Sequence, residues 1–126
     1  MSQATVLYIE DNPENRLLVR RVLEAEGYTV VEAADGPSGL EVARQSLPDL
    51  VLLDINLPEI DGYQMVGRLR TMPGLASVPI IALTANVMKG DREQTLSAGC
   101  DGYIQKPIDV DALPGQVAAF LRVRTG

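Results

Sequence analysis

The sequence predicts one α/β domain: a doubly wound parallel sheet of five strands in the order 2-1-3-4-5, with helices on both faces. Two observations carry that prediction. Five short apolar segments alternate with longer segments of helical spacing, the pattern of βαβ units joined by right-handed crossovers. The third apolar segment, Leu50-Val51-Leu52-Leu53, is too short for a buried helix and too uniformly apolar for a half-exposed strand, so it is read as a strand covered on both faces. A chain of 126 residues holds one such domain, 1–126, with its folded core at about 5–122.

In chain order, Thr5-Val6-Leu7-Tyr8-Ile9 is the first strand and Glu10-Asp11-Asn12 follow it. Asn12 before Pro13 reads as an N-cap with proline at the first helical position. Leu18, Val22, Leu23 and Ala25 give that helix its expected apolar stripe, up to a stop at Gly27. Thr29 to Glu32 is the second strand. Pro37 opens a helix with Leu40, Val42 and Ala43 inward, closed by Ser46-Leu47-Pro48 before the central strand. Asp61 is expected to cap the third helix, whose stripe is Met65, Val66 and Leu69, and Pro73-Gly74 ends it. Pro79 to Thr84 is the fourth strand. A weaker helix with Lys89-Gly90 near its start runs to Ala98-Gly99, and Gly102-Tyr103-Ile104 is a brief fifth strand. The last helix is expected from about Asp109, with Pro114 in its first turn or so and Leu113, Val117, Phe120 and Leu121 at helical spacing.

Composition excludes several functions. With 11 basic against 17 acidic residues, a net charge of −6, the chain lacks the basic surface that nucleic-acid binding needs. It has no histidine and one cysteine, Cys100, which removes zinc clusters, histidine catalysis and any internal disulfide; Cys100 is expected to be a small buried hydrophobe. The N-terminus carries no signal-like segment and no run of eighteen apolar residues occurs, so the expectation is a cytoplasmic domain with no membrane contact.

The polar residues that packing does not explain fall at strand carboxyl ends: Glu10 and Asp11, Asp54, Thr84 and Lys106. In a doubly wound sheet ligands bind there, and the order 2-1-3-4-5 reverses between the first and third strands, bringing Glu10, Asp11 and Asp54 together. Each pair of carboxylates at about 4 Å repels by roughly 4 kcal/mol at an effective dielectric near 20. One lysine does not neutralise three acids, whereas a hard divalent cation does. Oxygen donors of this kind suit Mg²⁺, held by Asp11 and Asp54, by Glu10 directly or through water, and by a backbone carbonyl near Asn56. Without histidine, a cysteine nucleophile or a serine triad, the chemistry left is attack of a carboxylate on phosphorus, for which Asp54 is the best placed. The Lys106 ammonium and the Thr84 hydroxyl would neutralise and orient the transferred group. Taken singly, each residue has a plainer reading: Asp54 as a turn cap, Glu10 and Asp11 as charges at a helix start, Thr84 as a strand end, Lys106 as a loop lysine.

From Val6 to about Leu121 the chain resembles the receiver domain of bacterial response regulators, whose sheet is of the flavodoxin-like kind. The matching signatures are Tyr8-Ile9-Glu10-Asp11-Asn12, the stretch Leu53 to Gly62, Leu83-Thr84-Ala85-Asn86, and Gly102 to Ile108; together they are specific, singly weak. The resemblance implies that Asp54 accepts a phosphoryl group from a histidine kinase or a histidine phosphotransfer protein, and that Glu10 and Asp11 hold Mg²⁺. It implies that Thr84 and Tyr103 move on phosphorylation, that Asn56 and Asn86 face the phosphoryl group and tune its lifetime, and that the Lys106–Pro107 bond is cis. Kinase docking is expected near Asn15, Arg16 and Val19 with Pro107. A downstream protein is expected on the face of the fourth helix, fifth strand and fifth helix. Ala85-Asn86 followed by Met88 to Asp91 makes the likeness strongest to receivers of hybrid kinases and phosphorelays. The chain departs from the family at Glu10, where aspartate is commoner; the extra methylene favours a water-mediated contact.

The expected function is a phosphorylation-driven switch, monomeric or weakly dimeric, that catalyses only its own phosphorylation and dephosphorylation. Two rivals stand beside it. A small Mg²⁺-dependent phosphatase would use the same groups, but such enzymes resemble Asp-x-Asp on the first strand, and here Asp54-Ile55-Asn56 follows the third. A receiver-like scaffold that works without phosphorylation would be expected to lack an acid or the lysine.

Overall fold

A computed structural model describes residues 4–55, 62–84 and 99–125. Its elements are β1 (Thr5–Ile9), α1 (Pro13–Ala25), β2 (Thr29–Ala33), α2 (Gly36–Ser46), β3 (Leu50–Asp54), α3 (Gly62–Arg70), β4 (Ile80–Thr84), β5 (Gly102–Gln105) and α4 (Leu113–Thr125). The weaker helix expected before Gly99, the Asp61 cap, Asn56 and Asn86 lie outside the described residues.

All strand pairs are parallel and the order is β2-β1-β3-β4-β5, as the alternation predicts. Every residue of β3 is buried, and so is every residue of β4, because side chains alternate between two covered faces. Leu7, Ile9, Val51, Leu53 and Ala82 feed one core with Met65, Val66 and Leu69 of α3. Val6, Tyr8, Leu50, Leu52, Ile81 and Leu83 feed the other, with Val19 and Leu23 of α1 and Leu113 and Val117 of α4. Cys100 is buried as expected, and burial pushes its thiol up to about 11.

Local signals account for the helix starts. The Asn12 side chain accepts the Glu14 and Asn15 N–H groups at 2.8 and 3.1 Å, capping α1 ahead of Pro13. Asp35 accepts the Ser38 N–H at 2.8 Å ahead of Pro37. At the other end of α1, Gly27 adopts φ +95°, where a Cβ would be strained. Two sequence expectations need correcting. The buried stripe of α1 is Val19 and Leu23 with Val22 partly covered, while Leu18 is 46% exposed and Ala25 faces solvent. Leu18 follows Leu17 at the helix shoulder, so apolar character there does not mark the face turned to the sheet. The last helix begins at Leu113 and not near Asp109: Asp109 forms a preceding turn, its carbonyl accepting Ala112 and Leu113 N–H and its carboxylate the Asp111 N–H. Pro114 then falls in the first helical turn, where a missing N–H costs nothing.

Gly62 starts α3 against the backbone that leaves β3. A Cβ built there would lie 2.5 Å from the Ile55 Cα, so the glycine is required by close approach as well as by the turn chemistry read from Asp61-Gly62. Gly62→Ala is expected to cost about 1–3 kcal/mol through overpacking, read as a lower urea midpoint at unchanged slope. An unchanged midpoint would mean that the backbone at Ile55 yields freely.

Candidate functional site

Strand register assembles the site. Ile9 pairs with Leu53 and Asp54 with Leu83, so Glu10, one residue beyond β1, stands beside Asp54 at the end of β3. Residues two apart in a strand share a face. Glu10 therefore follows Tyr8, Asp54 follows Leu52, and Lys106 follows Ile104, all on the face covered by α1 and α4. The loop after β5 is held by the Lys106 N–H, which donates to the Thr84 carbonyl at 2.8 Å, and the Lys106–Pro107 bond is cis.

The resulting charges are close and largely dry. Glu10 and Asp54 are buried, Asp11 is exposed, and one carboxylate oxygen from each lies within 4.8 Å of the others. The Lys106 ammonium donates to Asp54 Oδ2 at 2.7 Å and sits 3.8 Å from Glu10 Oε1. Burial, then hydrogen bonding with Asp11 and the charge of Asp54, pushes the Glu10 carboxyl from 4.5 up to about 7; the Asn12 N–H pulls the other way. Three hard oxygen donors opening on solvent at Asp11 fit a divalent cation such as Mg²⁺.

Thr84 is buried at the end of β4. Tyr103 pairs with Ala82, two residues before Thr84, so Tyr103 and Thr84 share the sheet face opposite Lys106. Tyr103 is half-buried against the α3-side core. The fourth wall is a cleft of about 400 Å³ lined by Asn15, Leu18 and Val19 of α1, by Glu10, and by Lys106, Pro107 and Ile108. Arg16, expected near that surface, donates to the Glu10 carbonyl at 2.6 Å and pairs with Glu32 at 3.4 Å. Sequence reading missed the roles of two residues. Tyr8, taken as a plain strand residue, is fully buried and donates its hydroxyl to Glu10 Oε1 at 3.2 Å, and Arg16 fixes the same segment through its backbone. The i, i+2 spacing of Tyr8 and Glu10 was the available signal.

The Glu10 shift sets a sign for pH dependence. A carboxyl raised in the fold favours folding fully below about 4.5 and loses that contribution as pH rises towards 7. In metal-free buffer the stability of wild type relative to Glu10→Gln should fall by about 2 kcal/mol between pH 5 and 8, measured by urea unfolding. A difference that rises with pH would contradict the assignment.

Comparison with known proteins agrees with this arrangement. The family profile described as response regulator receiver domain matches residues 6–118. The polar-differentiation response regulators DivK of Brucella anthropi and Brucella ovis are each 39% identical over 117 residues, 93% of this chain and 95% of theirs. The chemotaxis protein CheY4 of Vibrio cholerae superposes with a TM-score of 0.90 at 27% identity, covering 94% of this chain and 99% of that one. The receiver domain of a Pseudomonas aeruginosa sensor histidine kinase, with a magnesium ion coordinated in its active site cleft, superposes at 0.85 with 36% identity, covering 96% and 99%. The chain belongs to the response regulator receiver family. Among the described residues no helix is long and apolar enough to cross a membrane.

Proposed function

We propose that the chain is a cytoplasmic, Mg²⁺-dependent phosphoacceptor that takes a phosphoryl group on Asp54 from a phosphohistidine donor and signals by changing shape. The observation that carries this reading is the salt bridge of 2.7 Å between Lys106 and a buried Asp54, beside two further acids. An Asp54 oxygen attacks phosphorus, the O–P bond forms as the donor's P–N bond breaks, and the imidazole leaves with the bonding pair. The Lys106 ammonium stays with the transferred oxygens and the Thr84 hydroxyl donates to one of them. Asp11, Asp54 and Glu10 would hold Mg²⁺, with the Asn56 carbonyl, outside the described residues, as the further donor that the resemblance implies, and the ion would supply charge neutralisation. Asn56 and Asn86, which lie outside the described residues, are assigned the tuning of the product's lifetime on the family resemblance alone.

The cleft between α1 and Pro107 is the docking surface we assign to the kinase or phosphotransfer helices, its exposed apolar contact on α1 supplied by Leu18. Inward movement of Thr84 vacates room for Tyr103 on the same sheet face, shifting the face at β5 and α4 that a downstream protein reads. Inverting a 1:99 equilibrium takes about 5.5 kcal/mol, within reach of several charge-assisted hydrogen bonds. The protein turns over no external substrate. With acetyl phosphate and Mg²⁺, intact mass should rise by one phosphoryl group per chain, and with EDTA it should not. Sustained hydrolysis of a phosphate monoester would favour the phosphatase reading instead.

A further inference from the structure

Glu10 reaches the acid cluster on a side chain one methylene longer than aspartate, and a longer carboxylate needs something to aim it. Three donors surround it. The Tyr8 hydroxyl donates to Oε1 at 3.2 Å, the Asn12 N–H donates to Oε2 at 3.3 Å, and the Lys106 ammonium lies 3.8 Å from Oε1. Of these, Asn12 contributes only backbone and Lys106 is shared with Asp54, which it approaches more closely.

Tyr8 differs in kind. Its ring is fully buried among Val6, Leu23, Leu52 and Leu83, and it rises from β1, the strand that Glu10 follows, two residues before Glu10 and on the same face. A rigid ring in a packed core presents its hydroxyl at a fixed height, and a buried phenol needs an acceptor there. Glu10 is that acceptor.

We propose that Tyr8 is the positioning residue of the metal site: its hydroxyl holds Glu10 Oε1 in place, leaving the outward lone pairs of the carboxylate directed at the cation or its water. This rests on the Mg²⁺ reading above and extends it to a residue one layer beneath the acids. A carboxylate offers about four acceptor positions, so the two hydrogen bonds from Tyr8 and Asn12 leave about two for the cation shell, and loss of the buried one lets the side chain rotate. Partners that orient a ligand in this way are typically worth about tenfold or more in metal affinity.

Tyr8→Phe keeps the ring and removes only the hydroxyl. Mg²⁺ titrated by calorimetry into wild type, Tyr8→Phe, Glu10→Gln and the double variant forms a closed cycle. Tyr8→Phe should weaken Mg²⁺ binding about tenfold in the wild-type background and by less than about twofold beside Glu10→Gln. Urea midpoints of the same four proteins separate this from a loss of packing, which would lower stability alike in both backgrounds and leave affinity unmoved. Unchanged affinity in Tyr8→Phe, or equal loss with and without Glu10, overturns the inference while wild-type binding keeps the metal site. Absence of Mg²⁺ binding in wild type overturns both.

Discussion

The Asp54→Asn protein should gain no phosphoryl group from acetyl phosphate and Mg²⁺ under conditions that fully label wild type. Uptake should fall below about one hundredth, because an amide is not a nucleophile towards phosphorus and no neighbour replaces it. Glu10 is the nearest buried acid, but each of its oxygens is already held by a hydrogen bond, from Tyr8 or Asn12, and Asp11 lies at the exposed side of the cluster. The substitution keeps the size of the side chain at the end of a fully buried strand, so the fold should persist. It removes repulsion with Glu10 and at the same time the partner of Lys106; these offset, and stability should change by less than about 1 kcal/mol. Intact mass and a urea curve on the same sample check both statements. Labelling of the variant at wild-type extent would move the acceptor away from Asp54.

Lys106→Ala should separate two roles of one ammonium. Held 2.7 Å from Asp54, it is placed to neutralise the oxygens of the transferred group, and removing a preorganised charge of this kind typically slows reaction by about 10²–10³-fold. The same charge repels any cation that the acids bind. Mg²⁺ affinity should therefore rise in the variant while the phosphorylation rate falls. Without metal the fold should lose about 1–2 kcal/mol, less than a fully buried pair would cost because the lysine is 24% exposed. Added Mg²⁺ should restore most of that by supplying the missing positive charge. Calorimetry, the rate of mass gain and thermal unfolding with and without Mg²⁺ read the three effects. A variant phosphorylated at wild-type rate would reduce Lys106 to a structural ion pair.

Much of this was written in the chain before folding. The uniformly apolar Leu50 to Leu53 could only be a strand covered twice, and the alternation of five such segments with helical ones left a parallel sheet as the consistent arrangement. Asn12 with Pro13 and Gly27 marked the limits of α1 through local hydrogen bonding and backbone freedom, which need no tertiary context. Acids and a lysine at strand ends were legible because a carboxylate after a buried strand has no packing explanation.

Other features were decided by packing. Leu18 and Val19 are both apolar and adjacent, and nothing local says which turns inward; the crossing of α1 over β1 buries Val19 and leaves Leu18 on the rim of the cleft. Asp109 looked like a helix start because its side chain does cap a turn, but Pro114 moves the continuous helix to Leu113. The role of the Tyr8 hydroxyl was signalled only by its i, i+2 spacing from Glu10, since a tyrosine in a strand is otherwise ordinary core. Sequence alone determined which residues stand at the carboxyl ends of the strands, because periodicity and composition are properties of each segment. Only the tertiary structure decided that Glu10, Asp54 and Lys106 fall on one face of the sheet, because that depends on the register between strands, and a slip of one residue would turn any of them to the other side.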